Sequence, residues 1–121
     1  MATLFEQLGG HDKLEAMVAQ FYQFVLNDER INYFFLERVS DIPKLHRTMV
    51  QFLTGLFGGP NHYTGPDMIT LHKHMEIKQI HFDITWEHME ASFLIHKLSK
   101  DLIGKLRAQV YSQELFIVNT K

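Results

Sequence analysis

Apolar side chains recur at intervals of three and four residues along almost the whole chain, and this spacing constrains the fold more than any other feature. Residues three or four apart share one face of an α-helix, whereas a half-buried strand requires strict alternation. The apolar stripe of the first long segment consists of Leu14, Met17, Val18, Phe21, Tyr22 and Val25. Further stripes predict helices over about 41–57, 67–75, 79–98 and 99–110, so we expect an all-α fold.

Residues that favour helix ends divide these stripes. Asp12, with Glu15 three positions later, predicts a capping box at the start of the first long helix. The Gly9-Gly10 pair predicts a sharp turn after a one-turn opening helix. A short helical piece is expected over 28–35, and the apolar tail 115–118 would have no partner as a strand. Caps of the later helices are expected at Asp41, Asp67 and Ser99, and a helix stop at Gly58-Gly59-Pro60.

Length and composition exclude several classes of protein. The 121 residues suit one domain, residues 1–121, and the absence of cysteine excludes disulfides, thiolate nucleophiles and iron–sulfur clusters. A formal net charge of −2 with no basic block argues against a nucleic-acid partner, and no apolar run is long enough for a membrane span. The N-terminus lacks a signal-peptide pattern. We therefore expect a cytoplasmic monomer, with Trp86 and Phe116 as candidate exposed aromatic residues.

The eight histidines do not form a conventional metal cluster in the sequence. His72 and His74 are two residues apart on a predicted helix and point to nearly opposite sides. His81 and His88 are two turns apart, about 10 Å along the axis, which is too far for one ion. A preformed zinc or di-iron site is therefore not expected. The histidines interpreted as surface residues are His11, His62, His74, His88 and His96.

His72 and Tyr22 each allow two interpretations from the residues alone. His72 lies in an apolar stripe with Met68, Leu71 and Met75. It is either a histidine at the edge of the core or the single axial ligand of a haem, which needs one imidazole and apolar walls. Tyr22 faces inward on the first long helix, so its hydroxyl requires a partner. That partner is either a main-chain carbonyl or a bound gas.

Several motifs, in their order and spacing, resemble the group I truncated haemoglobins over nearly the whole chain. Each motif is weak alone, but the series is specific. The matching stretches are Leu4-Phe5-Glu6-Gln7-Leu8-Gly9-Gly10, Phe21-Tyr22, Val25-Leu26, Asp28-Glu29-Arg30-Ile31, Phe34-Phe35, Phe52-Leu53-Thr54, Gly58-Gly59-Pro60, Tyr63, Gly65, Met68, Leu71-His72-Lys73 and His81-Phe82-Asp83.

The resemblance implies a two-over-two helical sandwich around haem. His72 matches the proximal iron ligand, and Tyr22 matches the distal donor to the bound gas. Non-covalent haem b is expected because relatives that attach haem covalently use a His near the C-terminus, and no His follows His96. The resemblance, with the stripe around His72, assigns these further residues to the haem pocket: Phe21, Phe35, Leu45, Thr48, Met49, Phe52, Leu53, Tyr63, Met68, Leu71, Met75, Phe82, Met89 and Ile103.

The distal helix departs from the pattern of the family. Leu45 and Met49 stand where many members carry the Gln residues that pair with the Tyr, so we expect one donor and fast loss of O₂. Thr48 stands where a basic residue or His is common, which removes a propionate salt bridge or sixth ligand from that position. A register slip of one residue would bring His46 toward the iron as an alternative sixth ligand.

Three functions are compatible with these residues. The first is reversible binding of O₂, CO or NO at ferrous haem for transport or storage. The second is nitric oxide dioxygenase activity, which converts NO and O₂ to nitrate and requires an external electron donor. The third is a haem-free helical domain in which His72 and Tyr22 are ordinary core residues. An absorption spectrum separates the third function from the other two.

Overall fold

The helices stack as two pairs around a common core. The computed structural model describes residues 2–36, 41–73 and 75–120, without the side chain of Leu71. Within these ranges α2 packs against both α4 and α6, and α6 also packs against α7. The chain contains no strand in the described part, which confirms the prediction of an all-α fold. The helices are α1 (Leu4–Leu8), α2 (Gly10–Leu26), α3 (Tyr33–Leu36), α4 (Ile42–Leu56), α5 (Met68–His72), α6 (Gln79–Ile95), α7 (Lys100–Tyr111) and α8 (Glu114–Ile117).

The turn between α1 and α2 depends on two glycines, as predicted. Gly9 and Gly10 have φ angles of 117° and 82°, which a residue with a side chain rarely adopts. The capping box was predicted at the wrong helix: Thr3 and Glu6 form it at α1, where the Thr3 hydroxyl accepts from the Glu6 amide at 3.1 Å. Helix α2 begins at Gly10 without a side-chain cap, so Asp12 lies inside its first turn.

The other three predicted caps are confirmed. The Asp41 carboxylate accepts a hydrogen bond from the Lys44 amide at 3.0 Å and so begins α4. Asp67 and Ser99 do the same for α5 and α7, at 2.8 Å and 3.2 Å. Such caps satisfy amides that have no partner inside the helix. Each of these caps joins two residues that are three positions apart, so the sequence alone is sufficient to locate it.

Several helix bounds differ from the predictions; α5, for example, ends at His72 instead of near Met75. The segment predicted as helical over 28–35 forms turns up to Asn32, and only Tyr33–Leu36 is α-helical. Helix α6 ends at Ile95 instead of near Leu98, because Lys97 adopts a left-handed conformation with φ of 66°. The apolar tail contributes the short helix α8, which contacts α5.

The buried side chains form a continuous apolar cluster centred on α2 and α6. The Ser92 hydroxyl of α6 donates to the Met17 carbonyl of α2 at 2.6 Å, so these two helices approach closely. Trp86 was expected to be exposed and is instead buried, in edge-to-face contact with Phe93 and Tyr111. Phe116 is exposed as expected. In the described ranges we find no helix with the length and hydropathy that a membrane crossing requires.

His88 is not the surface residue that the sequence analysis assumed. It is half-buried, and its Nε2 lies 2.6 Å from a carboxylate oxygen of Asp28. The same carboxylate accepts from the guanidinium of Arg30 at 2.7 Å. The Asp28 side chain therefore ties the turn after α2 to the middle of α6. The other predicted surface histidines include His11 and His62, which are exposed, and His96, which is half-buried; His74 lies outside the described residues.

Candidate functional site

A large apolar cleft lies between α2, α4, α5, α6 and the C-terminal segment. Its empty volume is about 1050 Å³ with its open mouth included. Most residues assigned to the pocket from the sequence line this cleft. They are Phe21, Tyr22, Phe35, Leu45, Thr48, Met49, Phe52, Leu53, Tyr63, Met68, His72, Met75, Phe82 and Met89.

Three residues named from the sequence stand apart from this set. Ile103 lies on α7, where its side chain is buried in the apolar core of the protein, and it is not among the residues that line the cleft. The side chain of Leu71 lies outside the described part of the structure. His46 does not line the cleft, although its Nε2 is buried and has no hydrogen-bond partner in the described part of the chain. Its neighbours Leu45 and Met49 line the cleft instead, as the unslipped register predicts.

The sequence analysis missed a second group of lining residues. Phe34 and His81 belong to motifs that the sequence analysis quoted, but it gave them no place in the pocket. Others come from the loop before α6 and from the tail, where no helical period indicates which side chain faces inward. The missed residues are Phe34, Leu56, Ile77, His81, Thr85, Val110, Gln113 and Ile117.

His72 presents one ring nitrogen without a partner in the described part of the protein. Helix α5 carries it as its last residue, after the cap from Asp67. Its Nδ1 donates a hydrogen bond to the Met68 carbonyl at 2.8 Å. Since a carbonyl only accepts, the proton is on Nδ1 and the lone pair is on Nε2. Burial lowers the pKa of His72, outweighing the bond to Met68, so the neutral ring is favoured.

Tyr22 supplies a hydroxyl donor in the same cleft. The side chain is buried in α2, and its ring makes edge-to-face contacts with Phe21 and Phe35 at centroid distances of 5.0 Å and 6.0 Å. Burial raises the pKa of Tyr22 far above its usual range, so the hydroxyl keeps its proton. No described residue accepts a hydrogen bond from this hydroxyl. A buried tyrosine whose hydroxyl has no partner among the described residues is suited to bind a polar or polarised ligand.

His81 is a second imidazole at the wall of the cleft. Its Nδ1 accepts from the Lys78 amide at 3.0 Å, which leaves the other nitrogen protonated in the neutral ring. Burial, with a smaller effect of the charge on Lys78, lowers the pKa of His81. The ring packs edge-to-face against Phe34 with centroids 4.9 Å apart. The start of α6 and the ring of Phe34 thus set its position.

The lining residues fit a flat apolar cofactor held by one metal–imidazole bond. The described part of the chain contains no group of three or more His, Cys, Asp or Glu side chains that could hold a metal ion by themselves. A haem requires only one strong protein bond, provided that aromatic and aliphatic walls enclose the ring. His72, with its available nitrogen and its apolar surroundings, meets this requirement.

Comparisons with known proteins agree with this geometry. A family described as "Bacterial-like globin" matches residues 3–114. The group 1 truncated haemoglobin of Tetrahymena pyriformis is 36% identical over 118 residues, covering 85% of this chain and 96% of the relative. The group 1 truncated haemoglobin GlbN of a Synechocystis species is 35% identical, with 89% of each chain covered.

Solved structures of related proteins have the same fold. The truncated haemoglobin of Tetrahymena pyriformis in its Fe(III) form superposes with a TM-score of 0.93 at 32% identity, covering 98% of this chain and 100% of the other. A 2/2 haemoglobin from a Synechococcus species, solved with covalently attached haem, gives a TM-score of 0.86 at 31% identity over 95% of each chain.

Proposed function

The chain belongs to the group 1 truncated haemoglobins among the bacterial-like globins, and on that premise we propose that it binds haem b non-covalently and reversibly binds O₂, CO or NO at ferrous iron. The observation that carries the proposal is the hydrogen bond from His72 Nδ1 to the Met68 carbonyl. This bond fixes the tautomer that leaves Nε2 available to a metal in an apolar cleft.

The protein would contribute the binding site and its polarity, and haem would supply an iron that binds a diatomic gas. His72 would hold the iron, and the aromatic walls would surround the ring. The neutral, buried Tyr22 would supply a hydrogen-bond donor to the gas. Leu45 and Met49 line the cleft without offering a donor, so the stabilisation rests on few groups.

Non-covalent attachment is proposed because His96 is the last histidine of the chain and is absent from the cleft lining. The sequence also predicts that the protein has one domain, is a monomer and is located in the cytoplasm, and these three properties remain predictions. Conversion of NO and O₂ to nitrate would use the same two residues together with an external electron donor. Reversible gas binding needs no further component and is therefore the function proposed.

Absorption spectra of the purified protein test the proposal. The protein should be produced with ample haem and recorded in the ferric, ferrous and CO-bound forms. We expect a Soret band that shifts on reduction and again on addition of CO, with one haem per chain released by acid–acetone. A colourless protein, or a haem band that CO leaves unchanged, contradicts the proposal. Nitrate produced over many turnovers, when NO is added to the O₂-saturated ferrous protein together with an external electron donor, would identify dioxygenase activity.

A further inference from the structure

The last described residues of the chain are tied directly to the helix that carries His72. The side-chain amide of Asn119 donates a hydrogen bond to the His72 carbonyl at 2.8 Å. The side-chain oxygen of Asn119 accepts from the Ile77 amide at 3.0 Å. The main-chain amides of Asn119 and Thr120 both donate to the Ile77 carbonyl at 3.0 Å. Four hydrogen bonds thus join residues 119–120 to the two ends of the loop between α5 and α6.

Helix α5 needs such support because it is very short. It has five residues, and isolated helices of this length are not stable in water. Its first turn is held by the Asp67 cap, but a helix also ends on carbonyls that lack partners within it. The His72 carbonyl is one of these, and it accepts from both the Met75 amide and the Asn119 side chain.

The two bonds of His72 act on different parts of the residue. The bond from Nδ1 to Met68 fixes the rotation of the ring, whereas the bond from Asn119 fixes the peptide group that follows His72. The direction of a side chain depends on the position of its main chain. A change at the carbonyl would therefore move the imidazole even if the bond to Met68 stayed intact.

We infer that Asn119 is a positioning residue that sets the orientation of His72 through the His72 main-chain carbonyl. This inference rests on the proposed function, since it concerns the bond between His72 and iron. Groups that hold a metal ligand without touching the metal typically change metal affinity by 10–100-fold when they are removed. Asn119 makes its contact from a segment that follows α8 and is 47 residues away in sequence.

Two variants at this position separate the two functions of the Asn119 side chain. Asn119→Ala removes both the donor to His72 and the acceptor for Ile77. Asn119→Asp retains an acceptor oxygen for the Ile77 amide but cannot donate to the His72 carbonyl. Asn27→Ala is the matched control, because Asn27 also donates from its side chain to a main-chain carbonyl, that of Gln23 at 2.8 Å, but does not line the cleft.

The iron–histidine stretching band of the ferrous, ligand-free protein is the direct measurement. We expect the band to shift or broaden in both Asn119 variants and to stay at the wild-type frequency in Asn27→Ala. Haem loss to an apoglobin acceptor should be about tenfold faster in both Asn119 variants. The CO stretching frequency, which reports on the Tyr22 side, should stay within the wild-type range. Loss of general stability alone would not produce this combination.

Amide exchange in the haem-free protein supplies a measurement that does not depend on the cofactor. The Ile77 amide should exchange at least tenfold faster in Asn119→Ala and near the wild-type rate in Asn119→Asp. Wild-type stretching bands and haem-loss rates in both variants would overturn the inference, as would unchanged Ile77 exchange in Asn119→Ala. A wild-type protein that binds no haem would contradict the proposed function instead.

Discussion

The imidazole of His46 faces the phenol ring of Tyr22, with ring centroids 6.1 Å apart and planes inclined by 36°. Tyr22 comes from α2 and His46 from α4. The His46 Nε2 is buried without a hydrogen-bond partner, and no residue in the described ranges pairs with the Tyr22 hydroxyl. Two rings whose polar groups have no partner among the described residues are therefore neighbours, and only Tyr22 lines the cleft.

Replacement of Tyr22 by Phe should speed the release of O₂. The variant removes the hydroxyl and keeps the buried ring, so the loss of one hydrogen bond of about 1.4 kcal/mol predicts a dissociation rate about tenfold higher. Stopped-flow displacement of O₂ by CO measures this rate. Tyr33→Phe, at an exposed tyrosine, is the control and should leave the rate unchanged. An unchanged rate in Tyr22→Phe would assign the donor to another group, with His46 as the first candidate.

Replacement of His46 by Leu should stabilise the haem-free protein. A buried polar atom without a partner costs about 1–3 kcal/mol, and an apolar side chain of similar size removes this cost. We expect the free energy of unfolding in urea to rise by about 1 kcal/mol. His62→Leu, at an exposed position, should change it by less than about 0.5 kcal/mol. A lower stability of His46→Leu would show that Nε2 has a partner in solution.

The same variant tests His46 as an iron ligand. Because His46 is absent from the lining of the cleft, the ferric spectra of the wild type and of His46→Leu should be the same. A change from a six-coordinate low-spin spectrum to a five-coordinate or water-bound one in His46→Leu would show that His46 is the sixth ligand, and that α4 moves when haem binds.

Replacement of His72 by Ala should abolish stable haem binding. The variant removes an imidazole whose Nδ1 is fixed by a main-chain carbonyl and whose other nitrogen has no partner among the described residues. The haem content per chain, measured from the Soret absorbance after purification, should fall by about tenfold or more. His11→Ala, at an exposed histidine, is the control. Retention of the wild-type ferrous spectrum in His72→Ala would contradict the assignment of the proximal ligand.

Asp28 should make the stability of the protein sensitive to acid. Hydrogen bonds from Arg30 hold the pKa of this carboxyl far below its usual range, with a smaller contribution in the same direction from His88, while burial opposes them. A carboxyl with a lowered folded-state pKa stabilises the protein above its unfolded pKa of about 4, and this stabilisation is lost as the pH falls toward the folded value.

The variant Asp28→Asn should therefore lose about 2 kcal/mol of unfolding free energy at pH 7. Its difference from the wild type should become smaller as the pH falls below about 4. Urea titrations between pH 7 and pH 2 measure both effects, and Glu29→Gln, at the exposed neighbouring residue, is the control. A difference that stays constant over this range would show that Asp28 contributes through its shape rather than its charge.

The sequence by itself determined the long helices, most of the predicted caps and the inward face of each long helix. These features depend on residues within four positions of one another, such as the Asp67 cap of α5, and so they can be read locally. It also indicated Tyr22 and His72 as the chemically distinctive members of apolar stripes, because a buried polar atom requires a hydrogen-bond partner or a ligand.

Only the tertiary structure decided which surfaces meet. The structure shows that Trp86 is buried, that His46 Nε2 lacks a partner among the described residues, and that Asn119 bonds to His72. Each of these findings depends on segments far apart in the chain. Residues 118–120 carry no helical period, so no local pattern could indicate what Asn119 contacts. The physical reason is that periodicity fixes the direction of a side chain relative to its own helix, whereas its partners depend on how the helices pack.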